Sequence, residues 1–545
     1  MTASKLRFGV VCAGDQVEAA SAAAIRALLD SEGVELELVI AGARPPARET
    51  GGALWRLYQT RLRRPVSGEA HVDLSDLFAG VRRVPQDDAA AIRERRLDFI
   101  LHLGTGYLRD EILEAPRHGV WSFHYGDERK FRGHPRAFWE THHGCATTGA
   151  TLQRLTGRLH AGGVLQRCSV QTSMTSYPAT LDSLLWATTH MPARVARDLL
   201  NGCADYLGAG PSDMDGPVRH PPTNRQMAVF LAKVAFRWLR QQLASVIYAE
   251  EHWHVGMIRQ PIHSILNRGV RHQIEWLPFR RANRYMADPF AIRVGPTTKL
   301  LMEEYDYSSR RGIIVESELT DGGGWSPPRP VLRAERHMAY PYLFEHRGEI
   351  WCTPENQDIR GVALYTWDRE RRRWSHHDVI LHDFPAVDPT IIRHGGHWWL
   401  FCTSRDDYPQ AKLFLWQASD LTGPWEPHPG NPVKVDVRSS RPAGTPFEFE
   451  GQLYRPAQDC SETYGGGITI NRVTRLTPVA FAEEPVATIE AGRGSDYAAG
   501  IHTLSGSGEL TMLDGKRVAL APALVPARLL HKVRRAGQVA RQALA

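Results

Sequence analysis

The sequence has few cysteines: seven in 545 residues, at positions 12, 145, 168, 203, 352, 402 and 460, with no Cys-x-x-Cys pair. An odd, scattered set of this kind argues against a disulfide framework and against a thiolate metal site. No apolar run reaches about 18 residues. The N-terminus carries a strand-like run, Phe8 to Cys12, where a signal peptide would have its apolar core, so a cytoplasmic protein is expected. The net charge is small too. A net +6 over this length, without a concentrated basic face, argues against nucleic-acid binding. The first turn, Ala13-Gly14-Asp15, is too poor in glycine for a dinucleotide fingerprint, which argues against a nicotinamide site. The pair His142-His143 has no third ligand at helical spacing, so no metal site is expected there.

What is present is long enough for two to four domains. Leu6 to Cys12 reads as a strand, Glu18 to Asp30 as an Ala-rich helix and Val34 to Ala41 as a second strand, the opening of a doubly wound α/β sheet. Residues 43–70 read as a loop with one short helix around Trp55 to Leu62. A helix over 86–96 leads to the strand Phe99 to Leu103 and the turn Gly104-Thr105-Gly106. The stretch from Val120 to Gly133 then delivers Ser122 and His124 onto a Gly- and charge-rich loop, the kind of strand end where α/β sheets bind ligands. A hairpin of Thr147 to Leu155 and Gly163 to Thr172 flanks His160, and one amphipathic helix, Leu181 to Asn201, is expected to close a domain of residues 1–205.

Five blocks in this region carry a family resemblance: Leu97 to Leu113, Ala115 to His124, Phe131-Arg-Gly133, Thr148-Gly-Ala-Thr151 and Leu159 to Leu165. Their order and spacing resemble the catalytic domain of folate-dependent formyltransferases. The resemblance implies an amine attacking the formyl carbon of 10-formyltetrahydrofolate, with an Asn-x-His pair and an Asp stabilising the oxyanion and moving the proton. It also implies a folate pocket lined by the backbone of Leu103, Gly104, Thr105, Gly106 and Tyr107, where glycine permits close approach. His124 matches the family histidine, Ser122 stands at the Asn position and His160 at the Asp position. A serine still donates one hydrogen bond, but an imidazole cannot hold His124 as a carboxylate would, and Asp127 is the nearby carboxylate that would replace it if its loop folds back. The alternative is a domain of this shape that has lost its chemistry and binds a ligand.

Residues 206–250 read as a Gly- and Pro-rich linker followed by a helix over about Asn224 to Tyr248, in which Lys233, Arg237 and Arg240 stand among apolar positions. Packing between domains is the simpler expectation for it; lying on an anionic membrane is the other. Beyond it the pattern becomes all-β. Turn glycines at 295, 348, 396, 451 and 508 recur in steps of 53, 48, 55 and 57 residues, each unit having room for four strands, which predicts a five-bladed β-propeller over 251–525. Blade starts carry Asp288-Pro289, Tyr340-Pro341, Asp388-Pro389 and Arg441-Pro442, while Glu355 and Gln458 end second strands. Such residues converge on a propeller's axis.

Repeated Asp-Pro at blade starts resembles family 43 and family 32 glycoside hydrolases. The segments Ala339-Tyr-Pro, Thr353-Pro-Glu355, Ala386 to Pro389, Arg441 to Gly444, Tyr454 to Asp459 and His502-Thr-Leu504 resemble the propeller-like region of plant glucosamine inositolphosphorylceramide transferases. Asp288, Glu355 and Asp388 are the carboxylates available for sugar chemistry, and Tyr340, Trp399 and Tyr454 the rings available to stack on a pyranose. Residues 526–545 read as a basic helical tail. Together these readings lead to the expectation of formyl transfer to the amine of an amino sugar or glycan precursor recognised by the propeller. Two alternatives stay open: a glycosidase or glycosyl-transferring propeller beside an inert N-terminal domain, and a non-catalytic glycan-binding protein.

Overall fold

The computed structural model describes residues 5–42, 51–104, 108–157, 162–208, 216–267, 273–279, 281, 283–320, 323–491 and 495–520. The sequence positions Thr105, Gly106, Tyr107 and His160, and the tail 526–545, lie outside the described residues. The chain divides into two compact units, Met1–Ala235 with Pro429–Asp436 and Pro478–Ala480, and Phe236–His428 with Val437–Thr477 and Phe481–Ala545.

The first unit is built on a seven-stranded sheet. Its strands are β1 (Leu6–Cys12), β2 (Val34–Ala41), β3 (Arg82–Pro85), β4 (Phe99–His102), β5 (Val120–Tyr125), β6 (Thr147–Arg154) and β7 (Gly163–Gln171), in the order β7-β6-β5-β4-β1-β2-β3. The five strands β1 to β5 run parallel, and β6 and β7 add antiparallel at one edge. The chain steps outward from β1 to β2 and β3, then returns to the other side of β1 for β4. That reversal opens a crevice at the carboxyl ends of β1 and β4. Behind it, Phe8, Phe99 and Trp121 stack from strand to strand at 5.3 and 3.8 Å and fix the register of the three central strands.

Six helices matter below: α1 (Ala19–Leu29), α2 (Ala53–Leu57), α3 (Phe138–His143), α4 (Tyr177–Thr188), α5 (Met191–Leu200) and α6 (Asn224–Ile247). The single helix expected over 181–201 is a correction: α4 and α5 are separate. Pro192 lacks the N–H that an uninterrupted helix needs, so the second helix restarts with proline in its first turn, where no donor is required. Along α6 the apolar positions differ in burial. Met227 and Phe230 are buried, whereas Phe236, Leu239 and Leu243 are exposed.

The second unit is a five-bladed β-propeller, each blade built on a path of four strands. The closing blade combines β8 (Tyr248–Ile258) and β9 (Glu275–Trp276) from the unit's start with the last two strands among the described residues. Blade one holds β10 (Arg284–Val294), β11 (Thr297–Asp306), β12 (Arg311–Glu318) and β13 (Arg329–Leu332). Blade two holds β14 (Met338–His346), β15 (Glu349–Asn356), β16 (Gly361–Asp368) and β17 (Arg373–His382). Blade three has β18 (Ala386–His394), β19 (His397–Ser404), β20 (Lys412–Ala418) and β21 (Glu426–Pro427). Blade four has β22 (Phe447–Phe449), β23 (Gln452–Asp459), β24 (Gly467–Thr477) and β25 (Ala480–Glu490). The last strands are β26 (Leu504–Ser507) and β27 (Leu510–Leu520), ordered β9-β8-β27-β26, so both ends of the unit are tied into one sheet. Gly295, Gly348, Gly396, Gly451 and Gly508 all sit at positive φ in the hairpin between a blade's first and second strands. The period read from the sequence is therefore the period of one turn per blade.

Candidate functional site

Two places concentrate functional side chains, one in each unit. In the first unit, the crevice at the strand ends is a cavity of about 1170 Å³ whose lining includes His102, Leu103, Gly104, Ser122, His124 and Gln153. Ser122 Oγ donates to the main-chain oxygen of His102 at 3.3 Å, and Gln153 lies opposite Ser122 in the sheet. His102 Nδ1 and Gln153 Oε1 are buried without a hydrogen-bond partner, which leaves them available to a ligand. Burial pushes the His102 imidazole down to about 4, so it is neutral near pH 7.

The carboxylate near His124 is a correction. Asp127 turns its side chain back onto its own loop, where Oδ1 accepts from the Arg129 N–H at 3.2 Å and Oδ2 pairs with Lys130 at 3.2 Å. Glu140, on α3, takes the place near the histidine. Its Oε1 accepts the Asp127 N–H at 3.0 Å. A Cβ at Gly126 would meet Phe131 O at 3.1 Å, Glu140 Oε1 at 3.4 Å and His124 Nε2 at 3.5 Å, so only glycine lets these groups close around the turn. Burial raises the Glu140 carboxyl to about 7. Arg136, at the cavity wall, is committed to Glu18 at 2.9 and 3.0 Å and to Glu69 at 2.8 Å.

In the propeller, two tiers of side chains converge from the blades. The first-strand tier is Asp288, Tyr340, Asp388, Arg441 and His502. Asp288, Tyr340 and Asp388 each precede a proline, adopt φ of 51, 47 and 52°, and interrupt the pairing of their strand with a bulge. A non-glycine residue held left-handed costs on the order of 1–3 kcal/mol. The same device thus appears in three successive blades and re-aims each side chain. The second tier stands opposite. Ala287 pairs with Glu303, Ala339 with Glu355 and Val387 with Thr403, while the N–H of Gln458 donates to Arg441 O at 2.8 Å. Asp514 completes it, with its N–H 3.4 Å from Thr503 O.

Hydrogen bonds knit the tiers together. Arg441 Nε lies 2.6 Å and Gln458 Nε2 2.9 Å from Asp388 Oδ2. Glu355 Oε1 accepts from Arg405 at 3.4 Å. Asp514 is encircled by donors: Oδ1 accepts the N–H groups of His502 and Thr503 at 3.0 Å each, and Oδ2 accepts the Asp288 N–H at 3.0 Å and His502 Nδ1 at 2.6 Å. Asp288, His502 and Asp514 offer ligand-type atoms within 4.8 Å of one another. The four donors on Asp514 hold its carboxylate in place between Asp288 and His502.

Charge governs this centre. Burial, then repulsion from Asp288, Glu355, Asp514 and Asp388, pushes Glu303 well above the usual carboxylate range. Burial also raises Asp388, and Arg441 opposes it. Burial alone would lower His502, but Asp514 and Asp288 outweigh it and raise the imidazole.

The expected propeller residues Asp288, Asp388, Arg441 and Gln458 are thus brought together, with Glu355 in the opposing tier. Tyr340 is corrected from a sugar platform to a strut. It is fully buried, accepts the Gly444 N–H at 2.7 Å, meets Thr390 Oγ1 at 3.0 Å and packs edge-on against Phe290. Trp399 is likewise buried and donates to His394 O, and Tyr454 stacks on Phe447. Glu303, Asp514 and His502 were missed, although the repeat held the signal. Glu303 follows its turn glycine by eight residues, and Glu355 and Gln458 follow theirs by seven.

Residues 279–502 match the family described as glucosamine inositolphosphorylceramide transferase 1, N-terminal. Glucosamine inositolphosphorylceramide transferase 1 of Oryza sativa subsp. japonica is 32% identical over 251 residues, which cover 43% of this chain and 34% of that protein. The Arabidopsis thaliana protein of the same name is also 32% identical over 251 residues, covering 43% and 33%. The chain thus spans about a third of the length of the curated relatives it matches. Among solved structures, a family 117 glycoside hydrolase from Zobellia galactanivorans is similar at a TM-score of 0.30 and 16% identity, covering 43% of this chain and 84% of that one. Glycinamide ribonucleotide transformylase 1 from Symbiobacterium toebii is similar at a TM-score of 0.26 and 19% identity, covering 36% and 89%. At these scores neither likeness bears on what the chain does.

Proposed function

We propose that the chain processes a carbohydrate at the centre of its propeller, cleaving or transferring the glycosidic bond of a hexosamine-type sugar. The observation that carries this reading is the gathering of Asp288, Glu303, Glu355 and Asp388 around one axis, with both aspartates held in left-handed backbone before proline. A purely structural centre needs neither buried like charges nor backbone strain. Glu303, raised by burial and by repulsion from the neighbouring carboxylates, suits the general acid that protonates the leaving oxygen. Asp388, restrained by Arg441, suits the carboxylate that faces the anomeric carbon. The relatives matched over 279–502 are named for glucosamine and inositolphosphorylceramide, which makes glucosamine glycosides the first substrates to try.

A second reading is favoured by the cavity of the first unit, where Ser122, His124, His102 and Gln153 meet: formyl transfer from 10-formyltetrahydrofolate to the amine of an amino sugar. In it, Ser122 donates to the formyl oxygen, and Glu140 supports His124 as it takes up the proton of the amine. One experiment separates the two. The full-length protein is incubated with aryl glycosides of glucosamine, and separately with 10-formyltetrahydrofolate and glucosamine, alongside Asp388→Asn, Glu303→Gln and His124→Ala. Glycoside turnover lost in the first two variants and kept in the third supports the propeller reading. Glycoside turnover unchanged in Asp388→Asn overturns it. Formyl transfer lost only in His124→Ala moves the chemistry to the cavity.

A further inference from the structure

Eight of the eleven large apolar side chains that are exposed among the described residues fall in two neighbouring segments: Leu54, Leu57 and Leu62 in and after α2, and Val229, Phe236, Trp238, Leu239 and Leu243 on α6. The exposure is large, reaching 67% for Phe236, 54% for Trp238, 51% for Leu239 and 53% for Leu243. The two segments meet on their buried sides. The Leu54 N–H donates to Asn224 Oδ1 at 2.9 Å, and Tyr58 packs edge-on against Phe230 with ring centroids 6.2 Å apart. Trp55, Tyr58, Met227 and Phe230 fill that contact, so the other leucines and aromatics face outward.

Within the sequence of each segment the charge has one sign. Gly51 to Gly68 contains Arg56, Arg61, Arg63 and Arg64 and no acidic residue; Arg63 is paired with Glu69. The 24 residues of α6 contain Arg225, Lys233, Arg237 and Arg240 and again no acidic residue. Val229, Phe236 and Leu243 recur every seven residues, with Leu239 between, and form a stripe along a helix about 36 Å long.

We infer that α6 docks on an anionic lipid bilayer through its exposed apolar stripe, with the helix lying in the interfacial plane. A second copy of the chain would bring four cations of α6 against four cations with no acid to answer them, which opposes self-pairing. A soluble polyanion would leave Phe236, Leu239 and Leu243 in water. An anionic bilayer answers both halves of the surface, since headgroups pair with arginine while the acyl boundary takes up the leucines and aromatics. No helix among the described residues is long and apolar enough to cross a membrane, so this contact is peripheral. It places the protein where a lipid-linked substrate would be.

The test is co-sedimentation of the full chain with vesicles of phosphatidylcholine alone and with about 30 mol% phosphatidylglycerol added. Partitioning is expected to be at least about tenfold stronger on the anionic vesicles and to weaken in about 0.5 M salt. The variant Phe236→Glu/Leu243→Glu, both positions being solvent-exposed, should lose about tenfold or more of that binding with an unchanged circular dichroism spectrum. Arg225→Gln/Arg240→Gln should lose the preference for anionic lipid while keeping the fold. Absent binding, equal binding to both vesicles, or binding untouched by the glutamates overturns the inference. So does a dimer in light scattering that the glutamates dissociate, which would assign the stripe to self-association.

Discussion

The main-chain N–H of Tyr340 donates to Oδ2 of Asp288 across 3.1 Å, so the left-handed residue of one blade is held by the left-handed residue of the blade before it. The other carboxylate oxygen of Asp288 accepts the Thr503 hydroxyl at 2.6 Å, from the closing blade. Asp288 therefore links three blades, and its removal strands two buried donors. Each costs about 1–3 kcal/mol. Asp288→Ala is expected to destabilise the propeller by about 2–6 kcal/mol, read as a lower urea midpoint. An unchanged midpoint would show that the blades are joined elsewhere.

Tyr340 gives the complementary case. Its hydroxyl accepts the Gly444 N–H, and Tyr340→Phe would leave that buried donor unpaired at a cost of about 1–3 kcal/mol. If the ring is a strut, the thermal midpoint falls while affinity for a glucosamine glycoside in calorimetric titration stays within about twofold, less than 0.5 kcal/mol. A large loss of affinity without loss of stability would restore the platform role.

The propeller was legible because its repeat is marked by glycine. Only a residue tolerant of positive φ closes the inner hairpins, so Gly295 to Gly508 kept their letter in every blade. The Asp-Pro starts were legible for a related reason, since proline beside a bulge keeps its letter too. The second tier was legible only in part: Glu355 and Gln458 were read at the ends of their strands, whereas Glu303, Thr403 and Asp514 were not, because the equivalent places carry four different residue types. The cavity was half legible. Ser122 and His124 sit on one strand, but His102 and Gln153 come from other strands that only the strand order brings to the same crevice. The exposed stripe of α6 was visible as a pattern, yet periodicity alone does not say whether an apolar face is covered.

Asp388 and Arg441 form a buried ion pair, and breaking it from either side has unequal consequences. Arg441→Met leaves a carboxylate buried without its cation, which costs about 3–5 kcal/mol. In Asp388→Asn/Arg441→Met no charge is stranded, so part of that loss returns. The double-mutant cycle, measured by urea unfolding, is expected to show a coupling of at least about 1.5 kcal/mol. Additive effects would mean that Gln458 or solvent already balances Asp388.

Glu140 and His102 give the first unit two pH dependences of opposite sign. The Glu140 carboxyl titrates at about 7 when folded against 4.5 ordinarily, so the folded state holds its proton more tightly. Its stabilising contribution is complete below pH 4.5 and is lost as pH rises through 7. His102 titrates at about 4 against 6.5, so the folded state refuses a proton that the unfolded chain accepts. Its contribution is complete above pH 6.5 and is lost as pH falls through 4. Between pH 4.5 and 6.5 the two slopes, each near 1.4 kcal/mol per pH unit, oppose one another and flatten the native profile. Glu140→Gln keeps an acceptor for the Asp127 N–H and removes one slope. Its stability should therefore rise with pH across that window, and above pH 7 it should exceed the native protein by up to about 3 kcal/mol. Thermal midpoints of both proteins at pH 5, 6 and 8 read this out. Parallel profiles would mean that Glu140 is charged in its buried seat, leaving His124 beside a carboxylate that cannot pass it a proton.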